Sequence, residues 1–192
     1  LLDLCTKQAL FAQFYQPGPD GMPLAGNEWW IWKDVLGIEV ALNHGALFGM
    51  GQGMSGWFAL LSVVAAGGIV YWLFVAKTAR DAFLTAALGL ITGGILGNLY
   101  DRLGLWNAEG QTIYAVRDWI LIAYGGYDIP KLGRRWPNFN IADSLLVCGA
   151  IMLIWQAIFT KSDDQPAKKL PAKAKATGEE KSKKKVSATN KN

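Results

Sequence analysis

Apolar positions along the 192-residue chain gather into long stretches from which charge is missing. No residue with a fixed charge occurs from Val40 to Ala76, from Ala82 to Tyr100, or from Ser144 to Thr160. Crossing a hydrocarbon core of about 30 Å takes about 20 apolar helical residues, with about 17 as the lower limit. Soluble core elements are shorter and amphipathic. The runs therefore predict membrane spans at about 57–76, 82–100 and 141–160, the last having to start beside Asp143. Residues 1–15 can continue a helix, which the sequence QPGPDGMP at 16–23 breaks. Residues 30–41 (WIWKDVLGIEVA) mix aromatic and β-branched residues in a rough alternation. They predict a strand or short hairpin near the membrane surface, within a β-rich outer segment at 27–43.

Charge sets the orientation. Residues 161–192 hold ten of the nineteen Lys and Arg and four of the fifteen Asp and Glu, a net of +6, while residues 1–160 carry nine basic against eleven acidic side chains, a net of −2. The pI of about 9.0 therefore describes a Lys-rich tail, expected to be disordered and solvated, and gives no sign of a nucleic-acid partner. The positive-inside rule places this tail and the hairpin at 77–81 (KTARD) in the cytoplasm. Residues 20–44 and a long outer loop at 101–140 then face outward, with Trp106, Trp119 and Trp136 as interfacial anchors. An outward N-terminal segment without a signal peptide suggests a fragment whose first transmembrane helix is cut off just before Leu1, with residues 1–15 as its remaining end. Two domains are expected: a membrane-embedded unit at 1–160 and the tail at 161–192. Cys5, Cys148 and the single histidine, His44, are too few for a zinc site or a disulfide scaffold.

Polar residues in the apolar runs are the candidates for chemistry. Gly89, Gly93 and Gly97 form a small-residue stripe that would let a neighbouring helix approach. Gly94, Asn98, Asp101 and Arg102 continue one face toward the outer surface, where Asp101 is expected to pair locally with Arg102. Asp118 lies in an apolar patch, AVRDWI, and Asp143 opens the last span in FNIADS. Ionisable groups at the rim of a span are costly and are functional candidates. As a helix-start residue Asp143 could equally be a cap. If the two carboxyls meet they cannot both ionise, and a shared-proton pair can activate water and protonate a leaving amine.

Five ordered blocks then resemble lipoprotein signal peptidase, the type II bacterial signal peptidase family: DLCTK at 3–7, NHGALFG at 43–49, GGILGNLYDR at 93–102, VRDWI at 116–120 and FNIADS at 139–144. The resemblance implies an all-α polytopic membrane protein, a four-transmembrane-helix bundle whose first helix is largely missing here, with a small β-rich extracytoplasmic cradle. It implies an aspartyl endopeptidase of the bacterial inner membrane, a multi-pass monomer with its site at the extracytoplasmic face. The substrate would be a diacylglyceryl-modified prolipoprotein, cut on the amino side of the lipidated cysteine. The catalytic pair maps onto Asp118 and Asp143. Substrate-binding or supporting roles map onto Asp3, Lys7, Asn43, Gly45, Asn98, Asp101, Arg102, Asn140 and Ala142. No metal or other cofactor is implied; membrane lipid is.

Two residues depart from the family's pattern. Leu42 stands where Arg usually precedes the Asn of the second block, and Arg117 stands where an apolar residue commonly precedes the catalytic Asp. Turned inward, Arg117 would depress the Asp118 pKa, so it is expected to point outward. The segments at 103–115 and 121–138 are longer than usual, and Lys131, Arg134 and Arg135 suggest a basic outer flap. The competing reading is a non-enzymatic small membrane protein, a channel or assembly subunit, in which the aspartates are caps and ion pairs. A channel should carry polar residues through the depth of a span.

Overall fold

The computed structural model describes residues 1–24, 26–45, 51, 53–76, 81–108, 110–130 and 133–159. The basic hairpin at 77–80, positions 46–49 of the second sequence block, Lys131 and the tail at 161–192 lie outside them. By contacts the chain divides into Leu1–Phe159 and Thr160–Asn192, and the described residues belong to the first unit.

The described residues form four α-helices: α1 (Leu2–Phe14), α2 (Ser55–Val70), α3 (Ala82–Arg102) and α4 (Ile141–Phe159). A π-helical turn, Tyr71–Val75, extends α2, so that Ser55–Val75, α3 and α4 are long and apolar enough to cross a membrane. The 13-residue α1 is not among these three candidates, so the expected fourth span does not appear among the described residues. A third of the most apolar window of α3 is buried (33%), against 11% for the α2 segment and α4. α3 is thus the central helix, and the outer two turn their apolar faces outward, as lipid contact requires.

α3 starts where Asp81 caps it, its side chain accepting from the N–H groups of Phe83 (2.8 Å) and Leu84 (3.1 Å). Gln156 Nε2 donates to Asp81 Oδ2 (2.6 Å), tying the start of α3 to the end of α4 and fixing the pair as antiparallel. Close approach between them depends on particular glycines. A Cβ at Gly94 would lie 2.5 Å from Ala142 O, and one at Gly149 would lie 2.6 Å from Ile91 Cγ1. The expected stripe is only partly used: Gly97 is tight, Gly93 meets one leucine at 3.7 Å, and Gly89 has open space. α4 runs along α3 on the face that holds Ala87, Ile91 and Gly94, a spacing of three and four residues from which a strict every-fourth-residue stripe drifts away.

The carboxyl-bearing end of the bundle carries a four-stranded antiparallel sheet in the order β1-β2-β5-β6, formed by β1 (Trp29–Trp32), β2 (Leu36–Asn43), β5 (Val116–Ala123) and β6 (Arg135–Phe139). A hairpin, β3 (Asn107–Ala108) and β4 (Gln111–Thr112), stands apart from it. The sequence predicts a small β-rich part beside the helices, but only at 27–43; the reading of 101–140 as an outer loop is corrected, because that stretch supplies β5 and β6, half of the sheet. β5 is buried along most of its length, and WILIA lacks the alternation that marks a half-exposed strand. The sheet curls. Arg135 of the edge strand β6 reaches Glu28 at the start of β1 (2.7 Å) and Glu39 of β2 (3.5 Å), and Asn138 Nδ2 donates to Glu39 O (2.9 Å). Arg135 is therefore a clasp rather than part of a free basic flap.

Between α1 and one face of the sheet lies a core of Phe11, Val40, Leu42, Trp106 and Ala115. Trp106, expected as an interfacial anchor, is 6% exposed and stacks edge-on against Phe11 at 5.6 Å. Its Nε1–H donates to Ala115 O (3.3 Å), which lets an indole be buried without an orphan donor.

Candidate active site

Asp118 is delivered by β5. Side chains alternate along a strand, so Val116 and Asp118 face one side of the sheet while Arg117 and Trp119 face the core on the other. On its own side Asp118 meets β2 and the start of α4: Asn140 Nδ2 donates to Oδ1 (2.6 Å) and Asn43 Nδ2 to Oδ2 (3.2 Å). Asn43 is aimed by a local turn, its Oδ1 accepting from Gly45 N (3.0 Å), which leaves the amide for Asp118. Burial raises the Asp118 pKa to about 7, with Asp143 adding to the rise, against the opposing donors Asn140 and Asn43 and the charge of Lys7.

Asp143 is delivered by α4, and it caps that helix as well. Asn140 Oδ1 accepts from Asp143 N (3.0 Å) while Asp143 Oδ2 accepts from Asn140 N (3.2 Å), a reciprocal capping box. Its other oxygen, Oδ1, accepts from Asn98 Nδ2 of α3 (2.8 Å). Asn140 therefore touches both carboxyls, one through its side chain and one through its backbone.

A buried ionic layer lies beneath. Lys7, fully buried, reaches Asp3 Oδ2 (2.8 Å), Asp101 Oδ2 (3.0 Å) and Asn98 Oδ1 (3.0 Å). With Lys7 and Asn140 both donating to Asn98 Oδ1, the amide has one orientation left, Nδ2 toward Asp143. Asp3 Oδ1 accepts from Ala142 N (2.9 Å), pinning α1 to the first turn of α4. Ala142 is small because α3 passes close, a Cβ at Gly97 lying 3.0 Å from its own.

Two expectations about charge are corrected. Asp101 ion-pairs with Lys7 and Arg117 rather than with its neighbour, because helix geometry turns adjacent side chains about 100° apart. Arg102 instead lines the cleft, its Nη2 donating to Gly45 O (3.3 Å) and its guanidinium 5.6 Å from the Phe58 ring. Its Nε is buried without a hydrogen-bond partner among the described residues. Arg117 does not point outward: it is 1% exposed, bound to Asp101, and 4.7 Å from the Trp106 ring. It leaves the Asp118 pKa high because the strand sends it to the opposite face. The departures at Leu42 and Arg117 prove to be cross-strand partners.

The cleft at the carboxyls has a volume of about 40 Å³, walled by Asn43, Asn98, Arg102 and the β6 residues Trp136–Phe139. A larger cavity of about 690 Å³, near Tyr15, His44 and Tyr114, contains neither carboxyl. Among the described residues no cluster of His, Cys, Asp and Glu could hold a metal ion. The residues singled out in the sequence thus converge: Asp118, Asp143, Asn43, Asn98 and Arg102 at the cleft, Asn140 joining the carboxyls, Asp3, Lys7 and Asp101 beneath, and Gly45 and Ala142 through their backbones. Arg117 and the β6 wall were missed as site residues. The former left no local signal, since its partner Asp101 lies 16 positions earlier on another element.

A family model described as signal peptidase (SPase) II matches residues 1–159. Curated relatives called lipoprotein signal peptidase include one from Rhodopirellula baltica, 51% identical over 159 residues, covering 81% of this chain and 66% of its own. One from Rhodococcus jostii is 36% identical, covering 67% of this chain and 57% of its own, and one from Pseudomonas aeruginosa is 35% identical, covering 70% and 73%. The chain thus spans less than two thirds of the length of the first two. Two solved structures described as bacterial membrane enzymes superpose with TM-scores of 0.63 and 0.60, at 26% and 28% identity. They cover 86% and 82% of this chain, and 85% and 86% of their own.

Proposed function

Since the chain belongs to the signal peptidase II family, we propose that it is an intramembrane aspartyl endopeptidase that removes signal peptides from diacylglyceryl-modified prolipoproteins. Asp118 and Asp143 are its catalytic pair. The observation that carries the reading is the shared contact with Asn140, which donates to Asp118 through its side chain and to Asp143 through its backbone. One residue thereby holds a buried carboxyl, Asp118, and a half-buried one, Asp143, at the polar end of two spanning helices. Such a pair keeps one proton between its members. The ionised carboxyl takes a proton from water, and the oxygen attacks the carbonyl carbon before the lipidated cysteine. The protonated partner gives its proton to the departing cysteine nitrogen as the C–N bond breaks, leaving a new carboxyl on the signal peptide and a free amine on the cysteine. Arg102, whose side chain lines the cleft, donates to the substrate carbonyl. A volume of about 40 Å³ admits a water or two and no peptide, so substrate binding displaces the β6 wall.

The channel reading finds no support in the spans. Ser62 and Thr92 return their hydroxyls to the carbonyls of Phe58 and Leu88, and the buried ionic side chains gather at one end. The same proposal places the enzyme as a monomer in the bacterial inner membrane, with four spans, the site at the extracytoplasmic face and the 161–192 tail in the cytoplasm. Two acyl chains, at about 0.8 kcal/mol per buried CH2, hold the substrate cysteine at the bilayer surface, where the carboxyls lie.

The test is incubation of the chain in lipid with a diacylated precursor and with the same precursor lacking the lipid, followed by mass determination. Cleavage before the cysteine of the lipidated form alone is expected, lost in Asp118→Asn and in Asp143→Asn. Wild-type turnover in either variant would remove the aspartyl mechanism.

A further inference from the structure

We propose that Arg117 is a positioning residue: it clasps Asp101 of α3 and so holds strand β5, and Asp118 with it, where Asn140 and Asp143 can meet the carboxyl. The kinetic consequences rest on the peptidase reading; the placement itself does not.

The clasp has three hydrogen bonds. Arg117 N donates to Asp101 Oδ2 (3.1 Å), while Nε (2.9 Å) and Nη2 (2.7 Å) share Oδ1. Nη1 adds a contact to Gln8 Oε1 of α1 (3.3 Å), and the guanidinium packs 4.7 Å from Trp106 and 5.9 Å from Phe11. One side chain thus joins β5 to α3, α1 and the aromatic core, next in sequence to Asp118. A planar guanidinium suits this because its donors are fixed relative to one another and its face stacks on rings. Arg117 lies on the sheet face opposite the cleft, so whatever it contributes it contributes through other groups.

Charge points the same way. Lys7, Arg117, Asp3 and Asp101 form a buried layer of two cations and two anions. Leu42, the register partner of Arg117, is apolar and buried, so the neighbouring strand offers no substitute cation at that position. Without Arg117 the layer carries a net negative charge, and Lys7 alone must serve Asp3 and Asp101. Its bond to Asn98 Oδ1 weakens, and with it the constraint that aims Asn98 Nδ2 at Asp143. The ionisable groups that act on Asp118 are Asp143 from α4, Lys7 from α1 and Arg102 from α3. Arg117 acts on it only through Lys7: with Asp101 left to Lys7 alone, the ammonium is drawn toward Asp101 and its opposing charge at Asp118 weakens, which makes that carboxyl harder to ionise.

The experiment compares Arg117→Met, Arg117→Lys and wild-type chain in lipid by two readouts. With diacylated precursor, Arg117→Met is expected to lower kcat by about tenfold or more with KM within about twofold, and to move the acid limb of the pH–rate profile upward. Arg117→Lys, which keeps the charge and loses the fork, should restore the limb and only part of kcat. Independently of turnover, carboxyl titration followed by NMR on 13C-labelled aspartate should show the Asp118 midpoint raised in Arg117→Met. A folded Arg117→Met with wild-type kcat and an unmoved midpoint would overturn the proposal, as would a loss confined to KM. Should Arg117→Met fail to fold, Arg117→Lys decides: full kcat refutes the clasp, reduced kcat with an unmoved limb supports it. Should wild-type chain leave the precursor uncut, the peptidase reading falls and the titration alone decides the placement.

Discussion

Replacing Lys7 by methionine removes a positive charge from a position that water does not reach. The Lys7 ammonium is fully buried and has three acceptors at 2.8–3.0 Å, Asp3, Asp101 and Asn98. Methionine fills nearly the same volume, so the perturbation is one of charge and hydrogen bonding rather than packing. Asp3 then loses its only described ion-pair partner, while Asp101 keeps Arg117. Breaking a buried pair by removing one member costs about 3–5 kcal/mol, because the remaining charge is left without compensation. For a domain of this size that corresponds to about 6–20 °C in Tm. Thermal unfolding in detergent, followed by tryptophan fluorescence, measures it. Restoring neutrality with Lys7→Met/Asp3→Asn should recover part of the loss, though the second change weakens the bond to Ala142 N. A Tm within about 2 °C of wild type in the single variant, which is under about 1 kcal/mol, would refute the view that these four charges form one interdependent layer.

Three further outcomes follow from the geometry. Gly149→Leu should splay α3 from α4 and lower Tm sharply, whereas Gly89→Ala, with open space around it, should be neutral or stabilising by up to about 1 kcal/mol, and thermal unfolding distinguishes the two. The Asp118 carboxyl, whose pKa is raised to about 7, stays protonated in the folded state where the unfolded chain has already released its proton, so it subtracts stability as pH rises from about 4 to about 7. Asp118→Asn should therefore flatten the fall of Tm across that window, and an unchanged slope would remove the burial argument. In a variant with Cys5 and Cys148 replaced by Ala, a cysteine at the exposed position Tyr127 should react with an impermeant maleimide in intact spheroplasts, and one at Ser182 only after lysis; the reverse pattern would invert the proposed orientation.

What the sequence determined by itself is whatever depends on neighbours along the chain. Bilayer thickness converts a charge-free run directly into a span, so all three spanning helices were legible, α3 and α4 nearly to the residue. Asp143 as a helix-start residue was legible too, and the ordered blocks drew attention to the residues that now surround the cleft. Tertiary structure decided the rest. Strand β5 lies inside a curled sheet and is buried on both sides of its pleat, so its residues showed no alternation, and AVRDWI read only as an apolar patch. Arg117 bonds a residue 16 positions earlier, Lys7 one 91 positions later, and Asn140 joins carboxyls carried by a strand and a helix. No local periodicity encodes such partners. The direction of Arg117 shows the difference most plainly: strand alternation turns it away from Asp118, as the sequence suggested, but only the packing of α1 and α3 against that face makes its destination a buried carboxylate rather than water.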